Sequence, residues 1–247
     1  MLKLIFTPLF ICVVSLEFLQ NATAQASGVL PVQLPTSNQG NILASAFEGQ
    51  RFKVKSDDGI EGNPLLFEDW KSGEVTLNNN EKYNIEKINL DAANNKFIYY
   101  KNDTVYEFLD NIKEIKIYNE NHFTDPSSDM VFRSDLKLFT PAFVQVLADG
   151  KIIIIREYIK KPKGENYSNG IVNNTRKYSL KSSQSAIADN KIIPLKFNSA
   201  TLEELTSNKR KEMITYLKEN NLNSKKEKDF IMAIGYFNSI SKITTEK

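Results

Sequence analysis

His122 is the only histidine in the chain and its only side chain that ordinarily titrates near neutral pH, so it is the first candidate for acid–base chemistry. Glu120 and Asp125 are nearby acids that could orient its ring, and Ser127 and Ser128 are hydroxyls within reach along the chain. No Gly-x-Ser-x-Gly elbow and no glycine-rich oxyanion turn accompanies them. We therefore predict a solvent-exposed histidine and a protein without catalytic residues.

The residue types in this chain give little support for a metal-binding site. A structural zinc site draws four ligands from cysteine and histidine, and this chain has only Cys12 and His122. Residues 57–63 and 125–129 are acidic loops, but neither has the ligand order of a calcium-binding EF-hand. We interpret both loops as ordinary polar turns and expect neither a metal nor a cofactor.

Two groups of residues remain as a candidate binding surface. Trp70, the only tryptophan, is either a stacking platform for a sugar or peptide, or an anchor that pins residues 64–73 onto a sheet. Its apolar neighbours favour the anchor, because a tryptophan buries a large area. The second group is basic and consists of Lys160, Lys161, Lys163, Arg176, Lys177 and Lys181.

The charge of the chain is distributed unevenly. Residues 25–150 carry 12 basic and 19 acidic side chains, a net of −7, whereas residues 151–181 carry 8 basic and 2 acidic, a net of +6. Such asymmetry indicates either a face for polyanions, such as lipopolysaccharide phosphates or a nucleic acid, or a basic hairpin that packs beside an acidic sheet. Basic residues that alternate with apolar ones favour the hairpin. No row of aromatic residues is interleaved with them, so we expect the partner to be a protein or envelope component rather than a specific nucleic acid.

The first 26 residues indicate export. Lys3 precedes an apolar run from residue 4 to residue 14, and small residues mark cleavage after Ala24 or Ala26. Cys12 follows a large isoleucine, which does not fit a lipoprotein anchor. No later segment approaches the roughly 18 to 20 apolar residues of a spanning helix. We expect an exported, periplasmic or extracellular chain whose stability comes from a core rather than from disulfides.

From residue 74 onward, β-rich runs alternate with clusters of asparagine, aspartate and glycine, which is typical of a β-meander. The predicted strands cover residues 74–77, 83–90, 96–101, 104–109, 113–118, 142–148, 151–159, 176–180 and 191–197. Turns are predicted at residues 78–80, 91–95, 102–103 and 110–111. Asp149 and Gly150 predict a two-residue hairpin turn, and in such a turn the glycine has a positive φ. Residues 160–174 are predicted as a polar, mobile stretch and 182–190 as a turn or a loop that carries a short extended piece.

The periodicity becomes helical at residue 199. Thr201 with Glu204, and Ser224 with Glu227, predict capping boxes at the starts of two amphipathic helices. The predicted fold class is α+β, mainly β: an antiparallel meander forms a curved sheet or partly closed barrel, covered by a C-terminal helical hairpin. The predicted organisation is a signal peptide (1–26), an extended lead-in (27–45), the β-meander domain (46–198) and the helical hairpin (199–247).

The stretch from Gly62 to Leu77 combines Gly-x-Pro, Trp70 and Gly-x-Val-x-Leu, and the late helix contains Tyr-Phe-Asn at residues 236–238. In this pattern the chain resembles a set of uncharacterised secreted β-meander proteins from Bacteroidetes. The resemblance implies an exported location and this architecture. It implies no activity, ligand or catalytic residue.

Two functions therefore stand as hypotheses. The first is a non-enzymatic binding or interaction module of the cell envelope, and the alternative is a lipocalin-like carrier of a small apolar ligand. An enzyme that uses only carboxylates or tyrosines is a third possibility. A filled interior favours the first, whereas strands closed around an apolar cavity of roughly 300 to 1,000 Å³ favour the carrier.

Overall fold

The computed structural model describes residues 50–52, 60–108, 112–136, 143–164, 166–168, 171–173 and 176–243, so the predicted signal peptide, the lead-in and the turn at 110–111 lie outside the described residues. The strands in this part of the chain are β1 (Gln50–Arg51), β2 (Ile60–Glu61), β3 (Lys71–Leu77), β4 (Lys82–Asp91), β5 (Lys96–Lys101), β6 (Thr104–Glu107), β7 (Ile112–Ile117), β8 (Met130–Arg133), β9 (Val144–Ala148), β10 (Ile153–Lys163), β11 (Asn166–Ser168), β12 (Ile171–Asn173), β13 (Arg176–Ala188) and β14 (Lys191–Pro194). The helices are α1 (Ser199–Leu205), α2 (Arg210–Glu219) and α3 (Glu227–Ile243), with 3-10 turns at Pro126–Ser128 and Ser207–Lys209.

Twelve of these strands form one sheet in the order β1-β6-β5-β4-β3-β7-β8-β9-β10-β13-β14, with β2 added to β13. Neighbours along this order are antiparallel, and only the short β2 runs parallel to its partner. Strand β3 lies inside the sheet. The chain continues from it through β4 and β5 to β6, and β7 then pairs with the other edge of β3. This architecture confirms the predicted mainly β, α+β fold class, and the sheet is not closed.

The sheet curls strongly on itself. In the sheet order β4 and β10 are separated by four strands, yet the backbone N–H of Lys160 donates to the carbonyl of Ala92 at 2.9 Å. Nearby, the Asn95 amide exchanges two hydrogen bonds of 2.8 and 3.0 Å with the backbone of Phe143. The β4–β5 turn therefore meets β10 and the residue before β9 along a line that we call the seam.

Large apolar side chains fill the inside of the curl. Ile88, Phe97, Ile115 and Phe132 come from four different strands, are at most 1% exposed and belong to one packed cluster. The rings of Phe97 and Phe132 meet edge-on at 5.1 Å, a favoured aromatic geometry. The interior that the described strands surround is thus occupied by the protein's own core.

The predicted turns are confirmed where the structure describes them. Asn80 and Asn95 have positive φ angles of 66° and 53°, which asparagine tolerates better than most residues. Asn102 and Asp103 have φ of 48° and 57° and join the paired residues on either side as a two-residue turn. This left-handed pair matches the right-handed twist of the strands.

The prediction of a turn or a loop with a short extended piece at residues 182–190 is wrong about the extent of the strand. Strand β13 continues to Ala188, and only Asp189 and Asn190, with φ of 48° and 58°, form the turn to β14. The small polar residues of this stretch have the composition of a loop. They nevertheless pair with β10 residue by residue, and tertiary pairing overrides weak strand propensity.

The two-residue turn predicted at Asp149 and Gly150 is also wrong in length. Strand β9 ends at Ala148 and β10 begins at Ile153, so residues 149–152 connect them. Gly150 does have a positive φ, of 148°. The connection is longer because the backbone of Ile152 bonds to the side chain of Asn238 on α3 instead of joining the sheet.

Three helices, rather than a hairpin of two, cover one part of the sheet. Phe230, Ile234 and Phe237 of α3 pack against Ile152 and Ile154 in a second buried cluster. The predicted cap at Thr201 is wrong, because Asn198 caps α1 by accepting from the backbone N–H of Thr201 at 2.8 Å. At the start of α3, the Asp229 carboxylate accepts from the backbone N–H of Asn223, and no described bond involves the predicted Ser224 cap.

Candidate functional site

The basic residues of the sequence lie on a two-stranded ribbon. Strands β10 and β13 form eleven register pairs, from Ile153 opposite Ile187 to Lys163 opposite Lys177, whereas β9 pairs with β10 only as far as Arg156. Beyond Arg156 the β10–β13 ribbon extends past the edge of β9. The predicted polar stretch after residue 160 is thus strand up to Lys163.

The register places four lysines on one face of this ribbon. Paired residues share a face and alternate residues along a strand return to it. Lys163 is opposite Lys177, Lys161 is opposite Ser179, and Lys181 is opposite Ile159. We call these four side chains the lysine face: Lys161, Lys163, Lys177 and Lys181.

The positive charge of the lysine face is weakly compensated. All four side chains are exposed, and none takes part in an ion pair found among the described residues. Lys163 and Lys177 are directly opposite, where Cβ atoms are about 4.5 to 5.5 Å apart and like charges destabilise a sheet. Two described carboxylates lie on this face: Glu157, to which Ser183 donates at 3.4 Å, and the exposed Glu61 of β2, which is the register partner of Lys177.

The structure places Arg176 and Lys160 differently. By the same alternation Arg176 belongs to the opposite face of β13, with Tyr178. The ammonium of Lys160 donates to the carbonyl of Leu65 and contacts the side-chain oxygen of Asn63 at 3.4 Å. Burial lowers the pKa of Lys160, although the Glu68 carboxylate acts in the opposite direction. Lys160 therefore holds the segment before β3 against the ribbon and is not part of the lysine face.

A cleft of about 460 Å³ lies along the seam, and we call it the seam cleft. The carboxylate of Asp91 at its wall is already used by the β4–β5 turn, accepting from the backbones of Ala93 and Asn94 at 3.0 and 3.1 Å. Lys96 is paired with Glu107 at 2.5 Å. The apolar and aromatic part of the lining comes from Phe52, Pro64, Ala93, Pro162 and Tyr178. Lys96 and Lys161 are the exposed lysines in the lining, and of these two Lys161 has no ion pair among the described residues.

Trp70 packs against β5 rather than on the ribbon. Its ring centre lies 5.7 Å from that of Tyr100. The ammonium nitrogen of Lys87 lies 4.8 Å from the centre of the Tyr100 ring. The chain just before Trp70 is held by Asn89, a fully buried amide that accepts from the N–H of Phe67 at 3.2 Å and donates to its carbonyl at 2.9 Å. This geometry fits the anchor interpretation and separates Trp70 from the lysines.

His122 is more enclosed than we predicted. Its side chain is 24% exposed, its ring stacks on Tyr118 at 3.8 Å, and its Nδ1 lies 2.7 Å from Oδ2 of Asp129. Asp129 is only 2% exposed, so the partner of the imidazole is this buried acid and not Glu120 or Asp125. The two candidate serines, Ser127 and Ser128, bond to Asp125 instead.

The hydrogen bonds around this pair brace the β7–β8 loop. Oδ1 of Asp129 accepts from the backbone N–H of Asn119 at 3.1 Å, and the Asn119 amide donates to the carbonyl of Ser128 at 3.2 Å. Burial, together with the carboxylates of Glu74 and Asp129, raises the pKa of Tyr118 above that of a free tyrosine. The geometry orients the histidine as part of a structural loop.

Comparisons of this chain with protein-family models, curated proteins and solved structures each found no match. No helix in the described part of the chain is long and apolar enough to cross a membrane. Nor do the described residues hold three or more His, Cys, Asp or Glu side chains placed to bind a metal ion.

Sequence reasoning found the basic residues and missed their arrangement. The lysine face depends on pairing Lys177 and Lys181 with β10, and the prediction ended that strand at residue 180. The signal that would have shown the lysine face is the alternation of charge through residues 159–163 and 177–181, if these two segments are taken as the strands of one hairpin. The Asp129 partner of His122 has no comparable signal, because two other acids, Glu120 and Asp125, and two serines are nearer in sequence.

Proposed function

We propose that this protein is an exported, non-enzymatic binding module of the cell envelope and that its lysine face binds an anionic glycan. The observation that carries the proposal is the direct opposition of Lys163 and Lys177 within a face that also holds Lys161 and Lys181. Like charges at such close positions cost stability in the free protein. An anionic ligand that bridges them removes this repulsion, so the arrangement favours a bound form.

A glycan with repeated phosphate, sulfate or carboxylate groups suits the spacing of the lysine face. Same-face residues two apart along a strand are about 6.6 to 6.8 Å apart, so Lys161 and Lys163 are one such step apart, and Lys177 and Lys181 are two steps apart. Lysine binds such groups as a point charge and does not require the planar geometry that arginine imposes. The described residues of this face include no aromatic side chain of the kind on which single-stranded nucleic acids stack, which supports a glycan as the partner.

The filled interior supports surface binding over the carrier hypothesis. Ile88, Phe97, Ile115 and Phe132 occupy the inside of the curl, where a lipocalin-like carrier would place its ligand. Polar and apolar side chains both line the seam cleft, which opens to the outside beside the ribbon. We therefore make the lysine face, and not the interior, the proposed binding site.

Retention on immobilised heparin, a sulfated glycan, tests the proposal. Replacing all four lysines of the lysine face by glutamine is expected to lower the NaCl concentration for elution markedly, because the ionic contacts with the column are lost. The matched control replaces four exposed lysines on and between the helices by glutamine: Lys211, Lys218, Lys225 and Lys228.

Both variants lose four positive charges, so a difference between them reports the site and not the net charge. The control is expected to elute close to wild type, and a neutral dextran column should retain none of the three proteins. Equal elution of the two variants would show that retention follows overall charge and would contradict the proposal.

A further inference from the structure

Phe123 lies at the tip of the β7–β8 loop with 94% of its surface exposed. The loop that presents it is held in place by the His122–Asp129 contact and by bonds from the backbone of residues 124 and 125 to the carbonyl of Asn121. A large apolar side chain on a braced loop loses little conformational freedom when it is buried by a partner. Phe123 therefore has the properties of an anchor residue for a protein interface.

The surroundings of Phe123 are acidic. Glu120 and Asp125 are exposed carboxylates on the same loop. This charge disfavours insertion of Phe123 into an anionic lipid surface and favours an apolar pocket with a basic rim.

The seam cleft of the same protein has that chemistry. Its lining includes Phe52, Pro64 and Tyr178 as apolar or aromatic walls, and Lys161 as an exposed cation. At about 460 Å³ the cleft is within the range of sites that enclose small organic groups, so it has room for one phenylalanine ring. Shape and charge both match the Phe123 loop.

The loop and the cleft also lie on connected parts of the surface. Pro64 lines the seam cleft, and Phe67 and Lys71 line a groove of about 280 Å³ beside the Phe123 loop. Seven residues of chain span at most about 25 Å, so Pro64 and Lys71 are no farther apart than that. In a two-fold dimer the same contact occurs twice, once for the loop of each copy.

We propose that this protein forms a two-fold homodimer in which Phe123 of each copy occupies the seam cleft of the other, with Glu120 facing Lys161. This inference does not rest on the proposed function.

Sedimentation equilibrium of the purified protein tests the dimer. Wild type is expected to dimerise reversibly at concentrations up to about 0.5 mM. Phe123→Ser is expected to weaken dimerisation by at least about a hundredfold, because each dimer loses two buried phenylalanine side chains and each is worth at least about tenfold in affinity. Ile214→Ser removes another exposed apolar side chain, on α2, and is expected to dimerise like wild type.

A charge exchange tests which surfaces meet. Glu120→Lys and Lys161→Glu are each expected to weaken dimerisation, and the double variant is expected to recover it. Lys161 belongs to both proposed contacts, so this inference is separated from the proposed function by residues that belong to only one of them. At a concentration where wild type is monomeric, Phe123→Ser should leave heparin retention unchanged, and K163Q with K177Q should leave dimerisation unchanged.

Three results would overturn the homodimer. They are a wild type that stays monomeric, a Phe123→Ser variant that dimerises like wild type, and a double charge variant no better than the single ones. If the protein is monomeric and Phe123 is instead required for sedimentation with phosphatidylcholine vesicles, the occupant is a lipid surface and the inference is wrong.

Discussion

Asn238 holds the last helix to the sheet through a single buried amide. Its side chain is 3% exposed, and Oδ1 accepts from the backbone N–H of Ile152 at 2.9 Å. Its Nδ2 donates to the carbonyls of Ile152 and Asp149 at 2.8 and 3.2 Å. The amide uses both its acceptor and its donors, so an aspartate of the same shape cannot replace it.

Asn238→Asp removes the two donated bonds and leaves two carbonyls facing a carboxylate. A buried polar group left unsatisfied costs about 1 to 3 kcal/mol, and a charged group costs more. We expect the free energy of unfolding to fall by about 3 to 5 kcal/mol at pH 7. Burial raises the pKa of the introduced carboxyl above that of free aspartate, so the deficit should shrink as the pH falls from that raised pKa to about 4 and then level off, because the neutral acid can donate one hydrogen bond.

Asn198→Asp is the matched control, since it makes the same chemical change at the cap of α1. Asn198 only accepts, from the backbone N–H of Thr201 at 2.8 Å. Aspartate caps a helix as well as asparagine, and its charge interacts favourably with the helix N-terminus. We expect the free energy of unfolding to change by less than about 0.5 kcal/mol, or to rise slightly.

Urea unfolding followed by Trp70 fluorescence and by circular dichroism measures both variants. The Asn238→Asp midpoint should move to lower urea with an unchanged slope, because the surface exposed on unfolding stays the same. If Asn238→Asp lies within about 1 kcal/mol of wild type, the amide is not a structural link and the reasoning from its three bonds is refuted.

Three further predictions concern the turn glycine, the histidine and the export signal. Gly150→Ala should lower the free energy of unfolding by about 2 to 4 kcal/mol in the same urea assay, because the new Cβ would lie 2.7 Å from Cγ of Asn238. Gly62 also has a positive φ but has open space around it, so Gly62→Ala should lower the free energy of unfolding by only about 1 kcal/mol. His122→Ala should lower the free energy of unfolding by about 1 to 3 kcal/mol, since it removes a partner of a buried carboxylate; a hundredfold loss in any turnover assay would instead reveal a general base and refute the non-enzyme proposal. Mass spectrometry of the exported protein should find cleavage after Ala24 or Ala26, and an intact N-terminus would contradict export by this signal.

Local backbone chemistry let the sequence predict the β-meander. Asparagine and aspartate tolerate left-handed dihedrals, so Asn80, Asn95, Asn102 and Asp103 mark turns whatever the rest of the chain does. The alternation of isoleucine with charge in β7 likewise predicts a strand with one buried face, and Ile112, Ile115 and Ile117 are buried. Such signals depend on neighbours only a few residues away.

Tertiary structure alone decided the features that join distant parts of the chain. Residues 182–188 became strand because β10 offers them backbone partners, and this pairing put Lys177 and Lys181 beside Lys161 and Lys163. Asp129, rather than the nearer acids Glu120 and Asp125, is the partner of His122, and its carboxylate is buried in the β7–β8 loop. Asn238 meets Ile152 across 86 positions of sequence. Such contacts depend on how the sheet curls and where α3 packs, and no local pattern encodes a partner so far along the chain.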